Sequence, residues 1–221
     1  MKTLVSNVLL ALVLAAVTPA HADDRTAFHS DAESVRPLLP GMQAPALALT
    51  ATDGATIDFT PGRHGAPVVL TFYRGGWCPY CNLHLAELRT AEAELRELGF
   101  EVWFVSPDRP EMLAEGETEA SGYRLLSDPE LAAARAFGIA FRLDDDTLER
   151  YAGFGVDLAD RSGADHGGLP APATFLVGTD GIIQFAYVNP DYSVRLAPEV
   201  LLAAARAYAD GAHRRLQRGR R

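Results

Sequence analysis

Cysteine is almost missing from this 221-residue chain, which has only Cys78 and Cys81. Lysine is scarcer still: Lys2 stands alone, and we read that as coding bias rather than function. There is no long apolar run. The stretch Val8 to Val17 falls short of the about 20 residues that span a bilayer. Metal-ligand patterns are also lacking. His29, His64, His84, His166 and His213 are scattered, and two cysteines with His84 one turn on leave a zinc site incomplete. No metal site is therefore expected. Positive charge is scarce overall, with a formal net charge of −9, which argues against a nucleic-acid partner. No internal repeat is visible.

The ends carry their own signals. Residues 1–22 read as a secretory signal peptide, with Lys2, the Val8–Val17 run and a small-x-small cleavage site at Ala20-His21-Ala22. Such a signal predicts an exported protein, in the bacterial periplasm, with no stable membrane insertion after cleavage. Residues 23–37 are polar and expected to be flexible. Residues 38–210 are expected to form one domain, long enough for a well-buried core. Residues 211–221 form an arginine-rich tail, read as frayed and solvated.

The two cysteines lie in Trp77-Cys78-Pro79-Tyr80-Cys81, directly after the apolar run Val68 to Tyr73. That order predicts a buried strand, a turn, and a Cys-x-x-Cys at the first turn of a helix. Unpaired N–H groups and partial positive charge at a helix start stabilise a thiolate there. A thiolate attacks disulfides, and a second thiol one turn on resolves the mixed disulfide. A purely structural bridge is the competing reading, but closing so short a loop removes little chain entropy. Trp77, Pro79 and Tyr80 would shape the surface around the sulfurs.

Along the chain, Leu47–Thr50 and Thr56–Phe59 predict an N-terminal β-hairpin across Thr52-Asp53-Gly54. Ala66–Tyr73 predicts a central strand. Leucines interleaved with charges predict one helix over 78–98, stopped by Gly99. Phe100–Val105 is a second buried strand, Pro110–Ala120 a short helix, and Leu125-Leu126 a brief strand. Asp128 offers an N-cap to a helix over 130–137. Residues 140–170 read as irregular. Thr174–Val177 and Ile182–Val188 predict a second hairpin, and Ala197–Asp210 a closing helix. This is the order of an α/β domain with a mixed central β-sheet flanked by helices.

That order, with the dithiol opening the first long helix and Pro170-Ala171-Pro172-Ala173-Thr174-Phe175 before the second hairpin, resembles the thioredoxin-like fold. More closely, the chain is similar to the peroxiredoxin-like branch of the alkyl hydroperoxide reductase/thiol-specific antioxidant (AhpC/TSA) family. The similarity rests on Pro40 to Pro45, Phe72 to Cys81, Leu126-Ser127-Asp128-Pro129, Leu169 to Phe175, and Phe185 through Asp191-Tyr192 to Arg195. It implies a cis Ala171–Pro172 bond facing the dithiol and bounding a substrate groove. It implies no bound cofactor.

The departures from that family bear on mechanism. Its peroxidases place threonine or serine three residues before the attacking cysteine. Ungapped alignment puts the attacking position at Cys81 and the threonine position at Cys78. Their proline stands at Arg74, and their active-site arginine falls at Pro172. Thr71 replaces the buried carboxylate of thioredoxin. Without those polarising groups, the expected activity is an exported thiol-disulfide oxidoreductase working through a reversible Cys78–Cys81 disulfide, with Cys78 attacking. Its partners would be a protein disulfide or a peroxide, and a thiol reductant. One alternative is a thiol-dependent peroxidase in which Cys81 attacks, Cys78 resolves and Arg74 supplies the charge. The other is a binding module with a structural disulfide.

Overall fold

The structure is a computed structural model that describes residues 25–114 and 122–212. The signal peptide expected from the sequence lies outside the described residues, as do the end of the 110–120 helix and all of the arginine tail beyond residue 212.

In chain order, β1 (Leu47–Ala51) and β2 (Thr56–Phe59) make the expected hairpin, and β3 (Val68–Phe72) is the central strand. Then follow α1 (Pro79–Arg89), α2 (Glu92–Glu97), β4 (Glu101–Ser106), α3 (Pro110–Ala114), β5 (Tyr123–Ser127) and α4 (Ala132–Ala136). After these come β6 (Ala140–Arg142), α5 (Asp145–Gly153), α6 (Leu158–Ser162) and β7 (Gly168–Pro170), and last β8 (Ala173–Val177), β9 (Ile183–Val188) and α7 (Pro198–Ala209). Seven strands form one mixed sheet in the order β2-β1-β5-β4-β3-β8-β9. Strand β3 runs parallel to β4 and antiparallel to β8.

The sheet is buried on both faces. Val68, Leu70 and Phe72 pack with Trp103, Val105 and Phe175, while Val69 packs on the opposite face with Leu85, Leu88, Phe104 and Leu176. Alternation of side chains along a strand explains the split. All five residues of β3 are buried, which matches the continuous apolar run.

Three expectations need correction. The single helix over 78–98 is two, because Thr90 donates its hydroxyl to the Glu87 carbonyl at 2.6 Å and its N–H to the same oxygen. That local bond tightens the turn and ends α1. Residues 140–170 are not irregular: they hold β6, two capped helices and β7, with Asp144 and Asp157 accepting from Thr147 and Asp160 N–H. Nor is the stretch before residue 38 loosely held. Phe28, Ala32 and Val35 pack on the core, His29 pairs with β6 through Ala140 and Arg142, and Arg36 N–H donates to Gly138 O. Phe28 also has the Arg135 and Arg142 guanidinium groups 5.5 and 5.0 Å from its ring. That cation–π contact explains how a polar segment is held.

Candidate active site

Strand β3 delivers the chain into Tyr73-Arg74-Gly75-Gly76-Trp77, and Cys78 caps α1 in an extended conformation. Pro79 follows at the first helical position, where its fixed φ and missing N–H suit the helix start. The turn is braced from elsewhere in the chain. Asp108, 1% exposed after β4, accepts Gly76 N–H at 2.6 Å and Arg161 Nε at 3.0 Å. Gly75 has φ +140°, and a Cβ there would run into the Trp77 indole, so no side chain fits.

Cys78 and Cys81 are both buried thiols. The Cys81 thiol donates to Cys78 sulfur. With added help from the Cys81 N–H and the Arg74 and Arg195 charges, it pushes the Cys78 pKa down to about 6 against the opposing effect of burial. Cys81 is pushed up, first by giving that hydrogen bond and then by burial. The pair therefore loses one proton early and holds the other tightly.

Arg195 closes the stretch from Phe185 that is similar to the family. It arrives from the segment between β9 and α7, is anchored by Nε donating to Tyr192 O, and places Nη2 3.3 Å from Cys81 Sγ. Its Nη1 is buried with no partner. His84, one turn after Cys81, donates Nε2–H to Leu196 O at 3.1 Å. Burial and then the Arg195 charge push its pKa down to about 4, so it stays neutral. Among the described residues, no cluster of three metal-ligating side chains occurs.

Arg74 is 4% exposed and sits in an aromatic cage. Its guanidinium carbon lies 4.2, 5.2 and 5.5 Å from the Tyr192, Trp77 and Tyr151 rings, and Nη2 donates to the Tyr151 hydroxyl. Tyr80 is half exposed and meets Tyr192 edge-on at 5.6 Å. Thr71, standing where thioredoxin keeps a carboxylate, shares a buried hydrogen bond with Thr174 at 3.1 Å.

Ala171 and Pro172 are buried directly before β8, whose Ala173 pairs with Phe72. That register carries Pro172 to the mouth of the site, where it lines a cleft with Arg74 and Tyr192. The expected cis bond is not there: the Ala171–Pro172 peptide is trans. The chain on both sides is anchored in extended form, by β7 pairing with β6, by Ala171 N–H donating to Ile139 O, and by Pro172 O accepting from Asn189.

Sequence reasoning placed Cys78, Cys81, Trp77, Pro79, Tyr80 and Arg74 around one loop, and the structure brings them together. It missed Asp108, Tyr151 and Arg161, and gave Arg195 no role. Tyr151 lay in the segment read as irregular. The partners of Asp108 and Arg161 are remote in sequence, so no local pattern marks them.

Residues 40–186 match the family model described as the AhpC/TSA family. Peroxiredoxin Bcp of Escherichia coli K12 is 32% identical over 106 residues, covering 48% of this chain and 67% of that protein. Alkyl hydroperoxide reductase C of Bacillus subtilis is 29% identical over 144 residues, covering 62% and 64%. The crystal structure of peroxidoxin BcpB from Mycobacterium tuberculosis superposes with a TM-score of 0.57 at 22% identity, covering 76% of this chain and 96% of that one.

Proposed function

The chain belongs to the AhpC/TSA family and is a thiol-dependent enzyme of the peroxiredoxin kind, and on that premise we propose that it reduces hydroperoxides through a reversible Cys78–Cys81 disulfide. Arg195 carries this reading. The family's arginine position holds Pro172, but the Arg195 guanidinium reaches Cys81 Sγ from another part of the chain and keeps one buried N–H end unpaired. Donors aimed at charge developing on a leaving oxygen are what O–O cleavage needs.

In the proposed cycle the shared proton passes from Cys81 to Cys78, and the Cys81 thiolate attacks one peroxide oxygen. An S–O bond forms, the O–O bond breaks, and the alkoxide leaves as an alcohol on taking the proton from Cys78. The Cys78 thiolate then attacks the Cys81 sulfenic acid, forming the disulfide and releasing hydroxide. Cys78 thus serves as base, acid and resolving thiol. The second reading, exchange with protein disulfides, is favoured by one observation: Cys78 stands at the helix start with the lowered pKa.

Single-cysteine variants separate the two. Cys78→Ser restores a hydroxyl at the family's threonine position and is expected to form a Cys81 sulfenic acid with hydrogen peroxide, while Cys81→Ser stays inert to it. If Cys81→Ser instead traps a mixed disulfide with a model disulfide and Cys78→Ser ignores peroxide, disulfide exchange is the function. The proposal also places the enzyme outside the cytoplasm, on the Ala20-His21-Ala22 site. Mass spectrometry of the native protein should find Asp23 first, and an intact Met1 would refute export by cleavage.

A further inference from the structure

Around Arg74, whose charge acts on Cys78, lies a cleft of about 590 Å³, walled by Ser30–Glu33, α5 with the residues leading into it, and the loop that carries Tyr192. That volume is ordinary for a small-molecule site. Arg74 lines it, and Arg74 has an unmet need. Its Nε is buried with no acceptor, and among the described residues no carboxylate forms an ion pair with it. A buried guanidinium short of acceptors is costly to the protein. A carboxylate is its planar complement.

The rest of the lining is amphoteric. Arg142 and Arg150 add positive charge, while Asp31, Glu33, Asp144 and Asp191 add negative charge. Three of these acids are fixed by their own turns, Asp31 accepting from Ser34 N–H at 2.7 Å, Asp144 from Thr147 N–H at 2.7 Å, and Asp191 from Ser193 N–H at 2.9 Å. Their carboxylates stay on exposed residues, whereas Arg74 is buried. The cleft therefore pairs a desolvated cation with acceptors for an ammonium group.

We propose that this cleft binds the zwitterionic head of an amino-acid or short-peptide thiol, and that such a thiol is the reductant that reopens the Cys78–Cys81 disulfide. The inference rests on the reading that this disulfide forms in turnover. The carboxylate docks on Arg74 and the ammonium group on the acidic rim. The bound thiolate attacks Cys78 sulfur, an S–S bond to the donor forms, and Cys81 leaves as thiolate. A second donor thiolate attacks the donor sulfur of that mixed disulfide, Cys78 leaves as thiolate, and the donor departs as its own disulfide. Two electrons pass from two thiols to one protein disulfide.

The test uses the oxidised protein and four thiols: L-cysteine, 3-mercaptopropionate, cysteamine and 2-mercaptoethanol. Rates of disulfide opening are taken per thiolate and divided by the rate against a small aromatic disulfide, which removes intrinsic nucleophilicity. L-Cysteine should exceed 2-mercaptoethanol at least tenfold, with the two single-charge thiols between them. Arg74→Gln should remove the carboxylate preference, bringing L-cysteine within about twofold of cysteamine and 3-mercaptopropionate within about twofold of 2-mercaptoethanol. Equal normalised rates on the unaltered protein overturn the inference, and that comparison stands even if Arg74→Gln fails to fold. Binding is read separately on the Cys78→Ser/Cys81→Ser protein with S-methyl-L-cysteine, which cannot exchange. A saturable shift of the Trp77 indole NMR signal is expected, and none with 2-(methylthio)ethanol. Lack of the S-methyl-L-cysteine shift also overturns the inference. If peroxide never yields the disulfide, the proposed function fails, while the binding measurement still decides the cleft.

Discussion

In the proposed peroxidase reading, Arg195 is the residue whose loss is easiest to read. Arg195 contacts Cys81 and its charge lowers the Cys78 pKa, so its loss has two readable effects. Arg195→Met should cut kcat/KM for hydrogen peroxide by about 10²–10³, the usual size for one lost donor to a developing oxyanion. It should also move the pH midpoint of thiol alkylation upward from about 6, because removing a cation favours the neutral thiol. Arg195→Lys should recover part of both. A variant with unchanged peroxide kinetics would remove Arg195 from the mechanism. The dithiol was legible in the sequence because its meaning is local: a strand, a turn and a proline at a helix start. The role of Arg195 was not, since 114 residues separate it from Cys81. Nothing in Ser193-Val194-Arg195 marks an arginine that turns inward.

Elements were legible where one pattern dominated and illegible where a side chain redirected the backbone. The apolar run of β3 and the leucine spacing of α1 announced themselves. The break at Thr90 did not, because it depends on a hydroxyl folding back on its own turn. Helix α4 shows the same effect. Its expected start at residue 130 is displaced to Ala132, with Leu131 at φ +52° and the Asp128 carboxylate accepting Ala133 and Ala134 N–H at 3.0 and 2.9 Å. Burial nevertheless raises the Asp128 pKa from 3.8 to about 6, against those bonds. The folded state then holds this proton more tightly than the unfolded chain. Its contribution is complete below pH 3.8, is lost as pH rises to about 6, and stays lost above. The stability of the native protein minus that of Asp128→Asn should therefore fall between pH 4 and 6, by on the order of 3 kcal/mol. Urea denaturation at several pH values measures it, and a flat difference would refute the raised pKa.

At the scale of the whole molecule, the seven-stranded sheet and its two buried faces were readable from strand composition. The docking of residues 25–37 was not. Their polarity suggested solvent, yet Phe28 and Val35 cover the core and Ser30–Glu33 wall the cleft. A chain starting at Leu38 should lose on the order of 1–3 kcal/mol, because Phe28 and Val35 are partly buried and full burial of such a side chain is worth about 1.5–3 kcal/mol. Its melting temperature should drop while the circular dichroism of the sheet persists. An unchanged melting temperature would show that the segment contributes nothing to stability. No helix among the described residues is long and apolar enough to cross a membrane.

The long separation between Cys81 and Arg195 also sets a clock. A chain made from its N-terminus presents both cysteines well before Arg195 exists, and in that interval the guanidinium contact to Cys81 is not in place. The Arg195 share of the lowered Cys78 pKa, added to the larger effect of the Cys81 hydrogen bond, arrives only when the last stretch before α7 closes over the site.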